Sequence, residues 1–350
     1  MAIFLHIGFP KTATTSLQIA FQDRVEDLKQ AGVCYPLIDQ DFKQRYLKNF
    51  GLKSLPSGKG LPKSVQKNMD DMKKLIKASG CADVVLSCEE LTNFMMMTYD
   101  TTSAKALRDQ LREIDDDIRL VAYVRNPSDF YLSILQEKLK RSGGVLEPQT
   151  FQANFAKTIR YYEDVFEVKA IVREFHSSKL KDKDIVADFL HATGLEHVDI
   201  SSWTPIRSNE SVSAEALFAL DLARRDYMGS ELVYEFRESE MLWRKSNMIA
   251  NESEIYQKPV LFKHIHDQVM FANQSDIDVL HERYGISFSE GNYVEGQPTF
   301  PPESQLSLVE DLMHVDRSKA IFIWSTFTLR AIREVFQLRE KVRRLRAEQA

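Results

Sequence analysis

The chain of 350 residues has little cysteine, no net positive charge and no long hydrophobic run. Its three cysteines, Cys34, Cys81 and Cys88, form no C-x-x-C pair and no ligand cluster, so neither a disulfide framework nor a cysteine-held metal is expected. That pattern suits a reducing, cytoplasmic setting. The net charge of −5 excludes the global basic field of a nucleic-acid binder, so any anion site must be local. No apolar run reaches about 18 residues, which argues against a spanning helix. The N-terminus lacks a basic stretch ahead of an apolar one, so no secretory signal is expected.

What is there is an alternation of strand and helix signals. Residues 2–9, "AIFLHIGF", read as a nearly continuous apolar strand of the kind buried on both faces of a parallel sheet. Leu17, Phe21, Val25 and Leu28 then recur at helical spacing up to Gly32. Further buried strands are expected near 83–88, 118–124 and 167–173, separated by helical patterns around 103–114 and 150–165. This order predicts an α/β fold: a P-loop-NTPase-like parallel sheet flanked by helices. After about residue 205 the strand signals fade, and 211–285 read as mainly helical. The expected division is an α/β core over 1–205, a helical C-terminal subdomain over 206–316, and a long C-terminal helix over 317–350.

In that last segment Ile321, Trp324, Thr328, Ala331, Val335, Leu338, Val342 and Leu345 alternate spacings of three and four, a heptad seam. Arg330 to Glu348 carries seven basic and three acidic residues. Three readings stay open for it: an apolar stripe packed on its own domain, a homodimeric coiled coil, and a basic helix in peripheral contact with an anionic membrane. The Gly-, Pro-, Ser- and Lys-rich stretch from Gly51 reads as a surface loop, with a lid over an anion as the functional alternative.

The chemistry concentrates in "HIGFPKTATTS", residues 6–16. Pro10 ends a strand and a helix follows, so backbone N–H groups at the helix start make an anion site. Lys11 adds a full charge, and Thr12, Thr14, Thr15 and Ser16 add hydroxyl donors beside Ala13. A capping role for Thr14 or Thr15 explains one hydroxyl but leaves the lysine unaccounted for. The Walker A order, G-x-x-x-x-G-K-[ST], is not met, because the lysine stands early in the loop. A second element is "RLVAYVRNPSDFYLS", where Arg125 follows a buried strand and Ser133 lies eight residues on, within a helix. Arg125 can grip a phosphate with a bidentate fork.

"PKTATT" resembles the 5′-phosphosulfate-binding loop of the sulfotransferases, whose pattern is close to P-K-[ST]-G-T-T. Arg125 and Ser133 match the spacing of the family's 3′-phosphate motif. The resemblance implies 3′-phosphoadenosine 5′-phosphosulfate (PAPS) as co-substrate, no metal, and a small-molecule or glycan acceptor. The acceptor group is expected to be a hydroxyl, less so an amine, on a carbohydrate or glycolipid. It also implies a general base near the donor sulfur, for which Glu89 and then Glu90 are the candidates, with Ser87 and Glu89 matching a serine-x-glutamate pattern. One position departs: Ala13 stands where glycine is usual. A nucleotide-dependent phosphotransferase and a non-catalytic nucleotide-binding relative remain the alternatives. His6 reads as a buried, satisfied core residue, Lys138, Lys140 and Arg141 as a solvated basic face, and "FMMM" at 94–97 as core.

Overall fold

A computed structural model describes residues 1–50, 62–92, 99, 101–141, 144–204, 211–227, 236–296 and 309–348. The Met-rich stretch at 94–97, the boundary at 205–206 and most of the loop from Gly51 lie outside the described residues. The chain divides into two compact units. The first takes in residues 1–127, 152–209 and 273–290; the second takes in 128–151, 210–272 and 291–350.

The first unit is built on five parallel strands: β1 (Ala2–Ile7), β2 (Val33–Cys34), β3 (Asp83–Cys88), β4 (Ile118–Val124) and β5 (Ile171–Glu174). Their order is β2-β3-β1-β4-β5, so β1 is central, with β3 on one side and β4 on the other. This is the expected α/β architecture. All six residues of β1 are buried, which requires helices over both faces. The flanking helices are α1 (Thr14–Asp23), α2 (Val25–Gln30), α3 (Lys63–Ser79), α4 (Thr101–Arg112), α6 (Phe155–Phe166), α7 (Ile185–Thr193) and α11 (Gln274–Tyr284).

The apolar patterns placed β3 and β4 at their observed bounds. Three local differences have physical causes. The helix expected to run from Thr14 to Gly32 breaks at Arg24, whose φ of −121° and ψ of 27° leave the helical region. The break lets Leu28 of α2 reach the same core as Leu17 and Phe21 of α1. β5 begins only at Ile171, because α6 ends on Glu167 in a left-handed conformation. Residues 63–67, read from sequence as part of a loop, form the first turn of α3.

Residues 273–290 join the first unit through two carboxylates, the half-buried Asp276 and the buried Glu163. Asp276 of α11 accepts from the backbone N–H groups of Phe155 and Ala156, each at 2.9 Å, and so caps α6 from a distant part of the chain. The N-cap residue itself, Asn154, makes no side-chain cap. Glu163 of α6 accepts from Arg283 and from the Tyr284 hydroxyl at 3.0 Å.

The second unit contains α5 (Pro127–Arg141, entered from the last residue of the first unit), α8 (Ala214–Tyr227), α9 (Phe236–Glu252), α10 (Lys263–Ala272), α12 (Val309–Leu312) and α13 (Arg317–Glu348). Its strands β6 (Leu261–Phe262) and β7 (Tyr293–Val294) pair in parallel. Ala320 and Ile323 of α13 are buried, and Ile323 clusters with Ile249 and Ala250 of α9. On the seam itself Ile321 and Thr328 are exposed, Trp324 and Ala331 half-buried, and every position from 335 to 345 exposed, so the first half of α13 packs on its own unit through Ala320 and Ile323 beside the seam. No described helix is long and apolar enough to cross a membrane.

Replacing Asp276 with Ala removes the remote cap of α6. The expected cost is about 1–2 kcal/mol, read as a lower urea midpoint at unchanged m-value.

Candidate functional site

The parallel sheet brings the carboxyl ends of β3, β1 and β4 to one edge, where open α/β folds bind ligands. Glu89 follows β3, residues 8–16 follow β1, and Arg125 follows β4. All belong to the first unit.

The turn after β1 is tight. A Cβ on Gly8 would lie 2.7 Å from the buried Thr14 side chain, so only glycine lets the strand end and the helix start approach this closely. The Thr12 hydroxyl donates to the Phe9 carbonyl at 2.7 Å, and the Thr14 hydroxyl to the same oxygen at 3.2 Å. Two of the four hydroxyls are therefore committed to holding the turn. Thr15 is half-buried and Ser16 buried at the start of α1. The Thr92 hydroxyl donates to the Gly8 carbonyl at 2.6 Å and ties the segment after β3 to the turn. Phe9 anchors it below, its ring edge-on to Phe155 at 4.9 Å.

Lys11 and Ala13 both adopt left-handed backbone conformations, with φ of 65° and 59°. For residues with a Cβ each costs on the order of 1–2 kcal/mol. Such strain concentrates where a loop is shaped for binding. The position at which the sulfotransferase pattern has glycine is thus one that favours glycine, and Ala13 carries the strain. It is also the N-cap of α1 and offers no side-chain acceptor, leaving the helix dipole directed at the turn.

Arg125 meets this turn directly. Its guanidinium donates from Nη1 to the Lys11 carbonyl at 3.3 Å, across 114 positions of sequence. The guanidinium also lies over the Phe175 ring, 6.0 Å from its centroid. Ser133 belongs to the second unit, where its hydroxyl donates to the Asp129 carbonyl at 2.9 Å. Lys138, Lys140 and Arg141 are engaged in that unit as well. Lys138 donates to the Val145 carbonyl at 3.3 Å, Lys140 and Arg141 pair with Glu137, and Lys140 stands over the Trp243 ring.

Glu89 and Glu90 open a short 3-10 turn, Glu89–Thr92. Glu90 is drawn to Arg45, 3.7 Å away, and accepts a weak bond from the Cys88 thiol at 3.5 Å. Both glutamates are half-buried.

Beneath the edge lies a buried polar cluster that periodicity could not reveal. Ser87 is its hub. Its carbonyl accepts from Gln18 of α1 at 2.9 Å, its N–H donates to Gln44 at 2.8 Å, and its hydroxyl bonds His6 Nδ1 at 2.9 Å. Ser87 thus fastens α1 to β3 rather than facing a ligand. The expectation of a satisfied His6 holds for one nitrogen only, because Nε2 is buried without a partner. Burial pushes the pKa of His6 down from 6.5 to about 3, so it is a neutral core residue at ordinary pH. The only sequence hint of this cluster was polar residues, Gln18 and Ser87, at positions patterned as core.

Among the described residues, no three His, Cys, Asp or Glu side chains gather as metal ligands. No family model matches the chain, and no curated protein matches it. Among solved structures, a crystal structure of a sulfotransferase from Alicyclobacillus acidocaldarius is similar. The likeness has a TM-score of 0.35 at 18% identity and covers 64% of this chain and 94% of that one. At that distance it carries no weight for activity.

Two outcomes test the site's physics. Substituting Ala13 with Gly releases left-handed strain and is expected to raise stability by about 1 kcal/mol in urea melts; a loss of stability would contradict the strain. For His6, the unfolded chain binds a proton near pH 6.5 and the folded chain only near pH 3. Between those values the unfolded state holds more protons, so stability is lost as pH falls through the window. His6→Gln is expected to flatten the stability-against-pH slope there by ~1.4 kcal/mol per pH unit, the value of one proton.

Proposed function

We propose that the chain is a PAPS-dependent sulfotransferase acting on a hydroxyl acceptor, with a carbohydrate or glycolipid as the acceptor class. The observation that carries this reading is the contact between Arg125 and the Lys11 carbonyl. Two anion-binding elements, recognised separately in the sequence, meet at one sheet edge. A ligand with two separated anionic groups accounts for both.

The donor set fits such a ligand. It consists of a lysine, an arginine, the Thr15 hydroxyl and the N-terminal amides of α1, which donate hydrogen bonds or carry positive charge. In this reading the amides of α1, with Thr15, hold the 5′-phosphate. Lys11 neutralises charge on the sulfuryl oxygens and on the departing phosphate. Arg125 holds the 3′-phosphate. Thr12, Thr14 and Ala13 shape the turn.

Sulfuryl transfer is an in-line displacement, in which positioning and charge stabilisation do most of the work. A bond forms from the acceptor oxygen to sulfur as the bond from sulfur to the bridging phosphate oxygen breaks. The acceptor proton passes to a carboxylate. We assign that role to Glu89. The serine-x-glutamate match of Ser87 and Glu89 supports the choice.

Calorimetry with adenosine 3′,5′-bisphosphate tests the site. Lys11→Ala and Arg125→Ala are each expected to weaken binding about tenfold or more, the value of a lost charge-assisted contact. Equal binding by all three proteins would overturn the assignment. Glu89→Gln is expected to keep that affinity while lowering sulfuryl transfer by about 10²-fold or more; near-normal turnover would move the base elsewhere.

A further inference from the structure

We infer that the outer face of α6 carries a binding cleft for an acidic sugar. The cleft is formed by the first unit alone, between α6, the start of α11 and Tyr99. Its volume of about 470 Å³ is that of a small-molecule site. The two faces of α6 do different work. Phe155 and Tyr162 are buried: Phe155 packs against Phe9 of the turn after β1, and the Tyr162 hydroxyl donates to the Leu91 carbonyl at 2.8 Å. Lys157, Arg160 and Asp164 stand on the opposite, exposed face and line the cleft.

Helix stability does not account for that face. Lys157 and Arg160 are three positions apart, where side chains are neighbours and like charges repel. Asp164 stands four beyond Arg160, the spacing of a helical ion pair, yet no pair forms. Among the described residues the side chains of Arg160 and Asp164 make no hydrogen bond or ion pair. Lys157 is held instead over the Tyr99 ring, its Nζ 4.3 Å from the centroid. Tyr99 in turn meets the buried Tyr161 edge-on at 5.6 Å. The other acid of the cleft, Asp276, is committed to the N–H groups of Phe155 and Ala156. Two cations thus line the cleft with no described acid bonded to either.

The lining selects the occupant. Two cations on adjacent turns call for an anionic group. Asp164 is acceptor-only when ionised, so it repels a bare anion and calls for hydroxyl donors on the same ligand. Asn154 and Ser275 add further polar groups, and Tyr99 adds ring surface against which the C–H groups of a sugar pack. A ring bearing both hydroxyls and an acid group meets every one of these demands, whereas an inorganic anion meets only the first. The sugar is then a flanking unit of the acceptor, a step that rests on the sulfotransferase reading. The thickness of α6, about 10–12 Å, separates the cleft from the turn after β1, so the bound unit is not the one that reacts.

Calorimetry of the full chain without donor tests the cleft. The probes are an oligosaccharide of alternating glucuronate and N-acetylglucosamine, a neutral N-acetylglucosamine oligosaccharide of the same length, and inorganic sulfate. The acidic oligosaccharide is expected to bind at least tenfold more tightly than either of the others. Lys157→Gln with Arg160→Gln is expected to weaken it about tenfold or more, the value of lost charge-assisted contacts. Both positions are exposed and glutamine suits a helix, so the melting transition and the affinity for adenosine 3′,5′-bisphosphate should not change. Asp164→Ala is expected to weaken the acidic oligosaccharide several-fold. Equal binding of the acidic and neutral chains, or an undiminished affinity in the double variant, overturns the proposal. Sulfate binding as tightly as the acidic chain, or tighter binding in Asp164→Ala, overturns the sugar and leaves a bare anion site. The two readings fail separately. A chain that binds the bisphosphate but not the acidic oligosaccharide loses the cleft alone. One that binds the acidic oligosaccharide through Lys157 and Arg160 but not the bisphosphate keeps the cleft and loses the sulfuryl reading.

Discussion

Everything in the first unit follows from the burial of β1. The strand lies between two parallel neighbours and is covered on both faces, so none of its six side chains reaches solvent. Polar chemistry has to begin where the strand stops. The chain stops it abruptly. Gly8 permits an approach to Thr14 that no other residue allows, and two threonine hydroxyls converge on one carbonyl, that of Phe9. The amides of α1 are thereby aimed at the edge shared by β3 and β4, and the positively charged residues of the edge, Lys11 and Arg125, meet there.

The turn is not relaxed. Lys11 and Ala13 hold left-handed conformations that cost free energy in a chain with side chains. Such a geometry persists only if its surroundings over-determine it. Here the constraints can be named. Thr92 grips the Gly8 carbonyl, Phe9 is wedged against Phe155, and Gln18 fixes α1 to the backbone of Ser87. The buried cluster around Ser87 costs desolvation, visible in the orphan Nε2 of His6 and its depressed pKa. Its return is positional: the helix carrying the donor amides and the strand leading to Glu89 are held in one register.

Local patterns made most of the sheet legible. Apolar runs placed β3 and β4 at their ends, because a strand buried on both faces leaves an unbroken signal. The same reasoning missed β2, whose two residues are too few for any period. It also ran the first helix through Arg24, since Leu17, Phe21, Val25 and Leu28 keep helical spacing across the break. The turn after β1 stood out as a candidate anion loop because its lysine and hydroxyls are consecutive in sequence. The Ser87 cluster was not, because Gln18, Gln44 and His6 reach Ser87 from 43 to 81 positions away. The cap on α6 was hidden for the same reason, supplied by Asp276 over 120 positions.

The charge of the chain has a similar logic. A net charge of −5 would repel an anionic ligand if it were spread evenly. Some of the acid is instead committed within the fold. Glu163 and Asp188 are buried and paired with Arg283 and Arg173, and the half-buried Asp276 accepts from the backbone of α6. Such carboxylates are screened by their partners and contribute little field at a distance. The basic groups at the edge of β1 and β4 lie instead beside helix amides, whose dipoles add to their sign. A modestly acidic protein can therefore set Lys11 and Arg125 at one sheet edge while several of its carboxylates are held where the fold itself needs them.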